Sequence, residues 1–489
     1  MAHLNSRWLL VALAAIASVF LGVRSKEDDL VASLSERARV LYPNTENFTT
    51  ASSRWSRAKP PSYNLIVQVA TEADVQKTIM YANEKRVPFL AVSGGHGTTS
   101  ELANAKDAIG IRFTQMRNIS IVDDGQAVLI EGGVRTGDLL PYLWARGKQT
   151  MTTACDCVGF IAPVLGGGHG WLQGRYGLAT DQLLSARLVL ANGTVVEVSQ
   201  ESNPDLFWAL RGAGHNFGLV TQAKLKIYDV APDEQQWIGS GFTFTHDKLE
   251  DLFDIANKVL DDPERSAGLS YYFVFAFNPE VDPVNPILTV WLLNQASSIP
   301  SRFTEPLYAL SPVSVNTSVT EFPEANAHLQ GGLDGAACTE GSSRKLTPIS
   351  LQSYDIPSIR KSFDIFARMP AAFHNSVVFF ENYPIDGVVK IDANSTAYPD
   401  RAGKVLAAPL MSYPANASLD TVSDGIIDDI RDALVEGSGH PLVAYVNYAK
   451  GDESLEAMYG YEPWRLEKLR RLKKEYDPFG RFNFYAPIV

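Results

Sequence analysis

The sequence predicts an α+β protein built from two main regions. Short apolar strands alternate with helical stretches up to about residue 230. From 231 to about 440, helical stretches alternate with longer strand-like runs, which predicts an antiparallel sheet under helices. Residues 441–489 combine a predicted strand, a charged helix and an apolar tail.

In the first region, the elements follow from the spacing of apolar residues. Leu65–Val69 and Pro88–Ser93 are predicted strands, and Glu72–Arg86 between them has helical spacing. Ser185–Val198 is a predicted hairpin, because an Asn-Gly pair separates two apolar runs. The second predicted strand leads directly into a glycine-rich segment.

In the second region, helices and strands are predicted in alternation. The helices are His246–Asp261, Ile356–Met369 and Leu419–Glu436, and the strands are Leu269–Phe277, Ile287–Leu293 and Val377–Glu381. The segment 294–350 has a weak pattern and is expected to form a long loop. Near the C-terminus, Leu442–Tyr448 is a predicted strand and Pro463–Tyr476 a predicted helix.

The N-terminus has the pattern of a secretory signal peptide. His3 and Arg7 precede the apolar run Trp8–Val23, and small residues lead to Ser25. This run is shorter than the roughly 20 residues that span a bilayer. We therefore expect cleavage after residues 1–25, secretion without a membrane anchor, and a helical lead-in over 26–58.

Composition and glycosylation motifs agree with an exported protein. The chain of 489 residues has a net charge of −12, which argues against a nucleic-acid partner. Six N-x-S/T motifs predict glycosylation at several positions. Their asparagines are Asn47, Asn118, Asn192, Asn316, Asn394 and Asn416.

The three cysteines leave at least one unpaired thiol. Cys155 and Cys157 are close in the sequence and Cys338 is distant, so one of the first two can pair with the third. Exported proteins held together by disulfides usually have more cysteines. A zinc site made with His169 is the weaker alternative, because C-x-C is not the usual spacing of zinc ligands. No metal is expected.

Three glycine-rich segments occur in the first region: Ser93–Thr98, Cys155–Gly177 and Gly212–Thr221. None has the Lys-Ser/Thr ending of a phosphate-binding P-loop or the spacing of a dinucleotide-binding Rossmann turn. Glycines let backbone N–H groups approach a phosphate closely. Three such segments in one domain predict a large dianionic cofactor that is held mainly by main chain.

Taken together, the motifs resemble one enzyme family. They are SGGH at Ser93–His96, EGG at Glu131–Gly133, C-x-x-V-G at Cys155–Gly159, GGGHG from Gly166, RYGL-x-x-D at Arg175–Asp181, GAGHNFG from Gly212, Y-x-N-Y at Tyr445–Tyr448, and YDPFGRFN near the end. Their order is similar to that of the berberine-bridge-enzyme-like group of the vanillyl-alcohol-oxidase/p-cresol-methylhydroxylase superfamily, especially its fungal secreted FAD-linked oxidoreductases.

The resemblance implies a specific architecture. An FAD-binding domain of two α+β subdomains would occupy residues 59–230, and a separate α+β substrate domain with an antiparallel sheet would occupy 231–440. The C-terminal segment, 441–489, would return to the FAD-binding domain. This arrangement agrees with the change of pattern near 230 and near 440.

The resemblance also implies how FAD is held. His96 matches the histidine that bonds to the flavin 8α-methyl group, and Cys155 matches the cysteine that forms a second bond in bicovalent members. Cys157 is an alternative for that second bond. The other residues implied in cofactor binding are Ser93, Gly94, Gly95, Gly97, Thr98, Gly159, Gly166, Gly167, Gly168, Tyr176, Val220, Asn447 and Asn483.

Tyr448 matches the general base of related oxidases, which takes a proton from the substrate hydroxyl. A tyrosine has an ordinary pKa near 10, so it needs a coupled proton acceptor. Glu381, Tyr383 and Asp392 are alternative bases, and a purely structural role for Tyr448 at the domain interface is open. Ile161-Ala162-Pro163 and Val92 depart from residues common in relatives, which leaves the reactivity towards oxygen open.

The expected function is FAD-dependent oxidation of a small organic substrate by hydride transfer to flavin N5. A secondary-metabolite alcohol or phenol is the expected substrate, with oxygen as the electron acceptor. An oligosaccharide oxidase is the second possibility, and a non-catalytic secreted flavin-binding protein is a third of another class.

Overall fold

The computed structural model describes residues 26–489, so the predicted signal peptide lies outside the described residues. The lead-in contains α1 (Lys26–Ser33), β1 (Arg39–Leu41) and α2 (Glu46–Ser52). It is only partly helical, because β1 pairs with the first strand of the following region. Within residues 26–489, no helix is long and apolar enough to cross a membrane.

The first sheet has four strands and carries the loop with His96. It adds to β1 the strands β2 (Tyr63–Gln68), β3 (Phe89–Val92) and β4 (Ala108–Arg112), in the order β1-β2-β4-β3, with the last three parallel. Helix α3 (Glu72–Lys85) connects β2 to β3 and buries Val75 and Ile79. The glycine-rich loop begins directly after β3, at the carboxyl end where open parallel sheets place their ligands.

The second sheet is antiparallel. Its part of the chain contains β5 (Ile119–Val122), β6 (Ala127–Glu131), β7 (Lys148–Gln149), β8 (Leu183–Val189), β9 (Val195–Ser199), β10 (Leu219–Lys226) and β11 (Tyr228–Asp229). Five of these strands form the sheet β5-β6-β10-β8-β9, and β7 pairs with β11. The predicted hairpin is present as β8 and β9. The same part of the chain contains the helices α4 (Thr136–Trp144), α5 (Ile161–Leu165), α6 (Gln173–Tyr176) and α7 (Pro204–Ala213).

The third sheet is antiparallel, as predicted. Its strands are β12 (Trp237–Phe244), β13 (Leu269–Ala276), β14 (Ile287–Asn294), β15 (Ser314–Thr320), β16 (Ser342–Leu346), β17 (Ile349–Leu351), β18 (Val377–Asn382) and β19 (Val405–Pro414). Their order is β15-β12-β14-β13-β18-β19-β16, and β17 also pairs with β19. The helices are α8 (Leu249–Leu260), α9 (Ser301–Ala309), α10 (Ile356–Ala367), α11 (Asp386–Val389) and α12 (Asp420–Ser438).

The two faces of this sheet have different roles because side chains alternate along each strand. Phe242, Phe273 and Phe380 point to one face and form a core with side chains of α8, α10 and α12. Tyr272 on the other face packs with Trp171 of the first region, at 6.3 Å between ring centroids. The second face therefore closes over the glycine-rich loops.

The expectation of a long loop at 294–350 was wrong. The segment contains α9, β15 and β16 and reaches into β17. Strand β15 is exposed along almost its whole length, so it lacks the apolar alternation by which half-buried strands are recognised. Pairing with β12 at the edge of the sheet defines it instead.

The predicted strand Leu442–Tyr448 was also wrong. The residues before Val446 form no ladder, and Val446–Tyr448 form a turn of 3₁₀ helix. The chain continues through α13 (Leu455–Tyr459) and α14 (Pro463–Tyr476). Its end packs on the first region, where Asn216 donates a hydrogen bond to the carbonyl of Ala486 at 3.0 Å.

Candidate active site

Two glycine-rich loops meet backbone to backbone at the site. A Cβ at Gly94 would come within 2.4 Å of the Gly159 nitrogen, and one at Gly159 would come within 2.2 Å of the Ser93 hydroxyl. Ser93 donates a hydrogen bond to the Gly132 carbonyl at 2.9 Å, which fixes the loop to the second sheet. Glycine is required at both positions by this close approach. The sequence showed the loops but not that they touch.

His96 lies beside this junction as a neutral imidazole. Its Nδ1–H donates to the Gly94 carbonyl at 3.1 Å, and its ring stacks on Trp55 at 5.3 Å. Burial, together with the nearby Arg54 and Arg344, lowers the pKa of His96 to about 4. A neutral ring keeps a lone pair on its other nitrogen, as a nucleophile needs.

The three cysteines gather at the same place. Cys157 and Cys338 form a disulfide, and Cys155 is the free thiol, with its Sγ 3.5 Å from that of Cys157 and 4.0 Å from that of Cys338. The alternative in which Cys157 bonds to the flavin is therefore wrong for this state of the chain. Burial raises the pKa of the Cys155 thiol to about 11.

The disulfide also links two parts of the chain that are far apart in sequence. Cys338 belongs to the segment 330–341 of the second region, and Asp156 donates from its backbone N–H to the Gly331 carbonyl at 2.8 Å. Trp55 of the lead-in donates to the Ala337 carbonyl at 2.8 Å. The lead-in and both regions therefore meet around His96.

His169 lies apart from the cysteines, against the zinc alternative. Its Nδ1–H donates to Gln173 at 2.9 Å, and its Nε2 accepts from the Tyr398 hydroxyl at 2.8 Å. Burial lowers its pKa, so it is held neutral.

The GGGHG segment packs against the Y-x-N-Y segment. A Cβ at Gly166 would lie 2.2 Å from Asn447 Oδ1, and the Gly168 N–H donates to the Tyr445 hydroxyl at 3.0 Å. Gly167 has a φ of +121° and lies against the Tyr398 ring. Asn447 also donates to the Pro163 carbonyl at 3.1 Å, within the stretch that departs from the family pattern.

Glu381 is the centre of a cluster of tyrosines. Its carboxylate is 3% exposed and accepts hydrogen bonds from Tyr272 at 3.2 Å, from Tyr448 at 3.1 Å, and also from Tyr383. Burial raises the pKa of Glu381 to about 7, and raises that of Tyr448 well above its ordinary value. The carboxylate thus changes charge near neutral pH.

The remaining predicted site residues lie in different parts of the structure. Thr98 is buried beyond His96, and a Cβ at Gly97 would lie 2.9 Å from the Tyr485 ring. Tyr176 stacks on Tyr228 at 3.7 Å, and Val220 is buried in β10. The carboxylate of the alternative base Asp392 accepts from the backbone N–H of Asn394, so the structure does not place it in the Glu381 cluster.

Sequence reasoning named Glu381, Tyr383 and Tyr448 separately and did not join them. The register of β13 and β18 places Tyr272 directly opposite Glu381. The sequence predicted both of these apolar strands, but it did not predict that they pair or in which register, because strand order and register depend on tertiary packing.

Comparison with known proteins agrees with this geometry. A model of the FAD-binding domain matches residues 63–199, and a model of berberine and berberine-like proteins matches 444–488. The FAD-linked oxidoreductase chyH of Penicillium rubens is 37% identical over 469 residues, covering 94% of this chain and 93% of that protein. This chain belongs to the berberine-bridge-enzyme-like family of FAD-linked oxidoreductases.

Other members and solved structures extend the likeness. The FAD-linked oxidoreductase chry5 of Gibberella zeae is 38% identical over 479 residues, and the match covers 93% of each chain. The structure of 6-hydroxy-D-nicotine oxidase from Arthrobacter nicotinovorans superposes with a TM-score of 0.75 at 24% identity, covering 93% and 98% of the chains. Xylooligosaccharide oxidase from Myceliophthora thermophila gives 0.78 at 20% identity, covering 94% and 98%. These structures share the fold.

The residues of this berberine-bridge-enzyme-like chain fit the FAD that the family binds. At Gly94, Gly159 and Gly166, the space that a Cβ would take is filled by other atoms of this chain, so the loops pack closely at the site. Within residues 26–489, His215 Nδ1 and Asn483 Oδ1 are buried without a hydrogen-bond partner, and so offer polar atoms to a ligand. His215 stacks on Tyr485, whose hydroxyl donates to the Asn447 carbonyl at 2.9 Å. The C-terminal segment thus contributes to the site.

Proposed function

We propose that this protein holds FAD covalently through His96 and oxidises a small organic alcohol or phenol, passing the electrons to oxygen. The hydrogen bond between Tyr448 and Glu381 carries the proposal, because it joins a hydroxyl beside the glycine-rich loops to a buried proton acceptor. Bound FAD supplies the two-electron acceptor of the reaction.

The glycine-rich loops would hold FAD through backbone contacts, and the His96 imidazole would hold it through a covalent bond. Ser93, Gly94, Gly95 and Gly159 present backbone at the junction, and His96 offers a neutral nitrogen there. Cys155 is the one cysteine that the disulfide leaves for a second bond. Its raised pKa keeps it mainly as a thiol, so that second bond requires local activation of the sulfur.

Tyr448 and Glu381 would move the proton. A substrate hydroxyl next to Tyr448 gives its proton to the tyrosine oxygen as the tyrosine passes its own proton to Glu381. Tyr448 alone is a poor base at neutral pH because its pKa is raised. Glu381, with a pKa of about 7, accepts a proton readily once it is ionised. Tyr272 holds the carboxylate in place from β13.

Anaerobic reduction tests the proposal. The purified protein is titrated with alcohols and phenols under argon while the flavin absorbance is followed. We expect the absorbance to bleach with a productive substrate and to return when air is admitted, with formation of hydrogen peroxide. A colourless protein, or a yellow one that no tested alcohol, phenol or sugar bleaches, would contradict it.

We also propose that the protein is secreted, glycosylated and active in secondary metabolism. The asparagines of the six glycosylation motifs are all exposed, so each has room for an N-linked glycan. The Cys157–Cys338 disulfide suits an oxidising compartment. N-terminal sequencing of secreted material and the mass lost on deglycosylation test this proposal; a mature chain that begins at Met1 and loses no mass would contradict it.

A further inference from the structure

Trp55 of the lead-in stacks on the imidazole of His96. The two rings have 5.3 Å between their centroids and 23° between their planes. Both edges of the imidazole are also in contact, since Nδ1–H donates to the Gly94 carbonyl and Nε2 lies 3.2 Å from Cys157 Sγ. The orientation of the ring is therefore limited on both edges and on one face.

The lead-in also holds the two residues that flank His96. The backbone N–H of Trp55 donates to the Gly95 carbonyl at 3.3 Å, and the Arg54 guanidinium donates to the Gly97 carbonyl at 2.9 Å. Arg54 is buried, so this second bond is largely shielded from water. Residues 54 and 55 thus fix the backbone on both sides of the imidazole.

Trp55 is itself held by the second region. Its indole N–H donates to the Ala337 carbonyl at 2.8 Å, and its own carbonyl accepts from the Arg344 guanidinium at 2.6 Å. The same guanidinium lies 4.6 Å from the centre of the indole ring, which is a cation–π distance. Ala337 precedes Cys338, so the Cys157–Cys338 disulfide anchors the segment that accepts the indole hydrogen bond. The indole is therefore fixed from outside the glycine-rich loop.

The proposed oxidation gives Trp55 no task, because the substrate proton passes through Tyr448 and Glu381. Trp55 instead contacts the histidine that would bond to FAD. The rate at which two groups form a bond depends on their orientation, and a misplacement of about 1 Å can cost about 10²-fold. Glycines give a loop conformational freedom, so an imidazole on such a loop needs to be oriented by residues outside it.

We propose that Trp55 is a positioning residue for flavin attachment: its indole holds the His96 imidazole in the plane from which a ring nitrogen bonds to the flavin 8α carbon. In that step the nitrogen electron pair forms the new N–C bond, and a C–H bond of the methyl group and the N–H bond of the imidazole break. The C–H electron pair and both protons pass to the flavin ring, and oxygen then takes them up as hydrogen peroxide. The inference rests on the proposed attachment through His96 and gives the lead-in a role in forming it.

The test separates attached FAD from total bound FAD in variants of Trp55. The visible absorbance of the native protein measures all bound FAD, and the mass of the acid-denatured chain measures the attached part. In Trp55→Leu we expect bound FAD to remain while the attached fraction falls to about a tenth or less. Trp55→Phe keeps an aromatic ring and should restore most of the attachment, although it lacks the indole N–H. Trp55→Met is a second non-aromatic variant, to be used if Trp55→Leu does not fold.

Trp144→Leu is the matched control. Trp144 is also half-buried and donates from its indole N–H to the Glu321 carboxylate at 2.6 Å, but its ring packs against Phe322. This variant removes a comparable indole from the surface of the first region. It should keep full attachment even if its melting temperature falls as far as that of Trp55→Leu.

Three results would overturn the inference. One is full attachment in the non-aromatic variants of Trp55, and another is a Trp55→Phe protein that attaches as little FAD as Trp55→Leu. The third is loss of bound and attached FAD together, which would show that Trp55 only maintains the fold. A wild-type protein without attached FAD would instead contradict the proposed function, so the two failures can be told apart.

Discussion

Tyr448 and Glu381 are 67 residues apart in the chain, and the hydroxyl of one donates a 3.1 Å hydrogen bond to the carboxylate of the other. Tyr448 is the last residue of the 3₁₀ turn in the C-terminal segment, and Glu381 belongs to β18 of the third sheet. The pair therefore forms only when the C-terminal segment packs between the glycine-rich loops and that sheet.

Loss of the Tyr448 hydroxyl should slow oxidation without preventing FAD binding. Positioned acid–base groups contribute about 10²- to 10⁴-fold to rates, so Tyr448→Phe should reduce the rate of flavin reduction within that range. Stopped-flow reduction under argon measures this rate. Tyr461→Phe is the control and should behave as wild type, because the Tyr461 hydroxyl donates to the Leu442 carbonyl at the surface. Wild-type rates in Tyr448→Phe would assign the proton transfer to another residue.

The ionisation of Glu381 should appear in the pH profile. Its pKa is raised to about 7, so the acceptor form grows in as the pH rises through 7, and kcat/KM should rise with it. Glu381→Gln cannot ionise and should lose this rising limb together with about 10²-fold of the rate. A rising limb that persists in Glu381→Gln would show that the limb belongs to a different group.

The same carboxylate should affect stability with the opposite dependence on pH. A carboxyl whose pKa is raised in the folded state binds more protons there, so the free energy of unfolding falls as the pH rises from about 4.5 to 7. Glu381→Gln should therefore gain stability relative to wild type across this interval, by up to about 3 kcal/mol. Urea unfolding at pH 5 and pH 8 measures the difference; an equal effect at both values would rule out this ionisation.

Covalent attachment should depend on His96. Acid-denatured wild-type protein should keep the mass of one FAD, and His96→Ala should lose it even if FAD still binds reversibly. His374→Ala, at an exposed position of the third-sheet region, is the matched control and should keep the mass. Release of FAD from Cys155→Ala but not from His96→Ala would show that FAD is bonded to Cys155 and not to His96.

The Cys157–Cys338 disulfide should stabilise the meeting point of both regions. Cys338→Ser removes a cross-link between distant parts of the chain and should cost about 2–5 kcal/mol of unfolding free energy. Cys155→Ala leaves the bond intact and should cost much less. Non-reducing peptide maps should show Cys157 joined to Cys338 in wild type and in Cys155→Ala. A map that joins Cys155 to either partner would contradict the pairing.

The contact between the two glycine-rich loops should tolerate no side chain. Gly94→Ala places a Cβ 2.4 Å from the Gly159 nitrogen, so one loop must move, and we expect loss of bound flavin and a lower melting temperature. Gly425→Ala, in the exposed face of α12 with nothing within 4 Å, is the control and should stabilise the helix by up to about 1 kcal/mol. Normal flavin content in Gly94→Ala would show that the loops are looser than the packing indicates.

Local sequence patterns correctly predicted those features that depend on residues close together in the chain. The hairpin of β8 and β9 was predicted from its turn residues, and the glycine-rich motifs in their order indicated the family. Both predictions succeeded because turn conformation and cofactor contacts depend on only a few adjacent residues. The same reasoning failed for β15 and for Leu442–Tyr448. An exposed edge strand has no apolar period, and an apolar run beside a cofactor loop can be buried without forming a ladder.

The sequence by itself determined the family, the cofactor class and the odd thiol. Only the tertiary structure decided that Cys155 is that thiol and that Glu381 accepts a hydrogen bond from Tyr448. Composition and spacing report local preferences, whereas a disulfide partner, a strand register and a buried hydrogen bond depend on which distant segments pack together. Burial then shifts the pKa of Glu381, and no local pattern of residues encodes that burial.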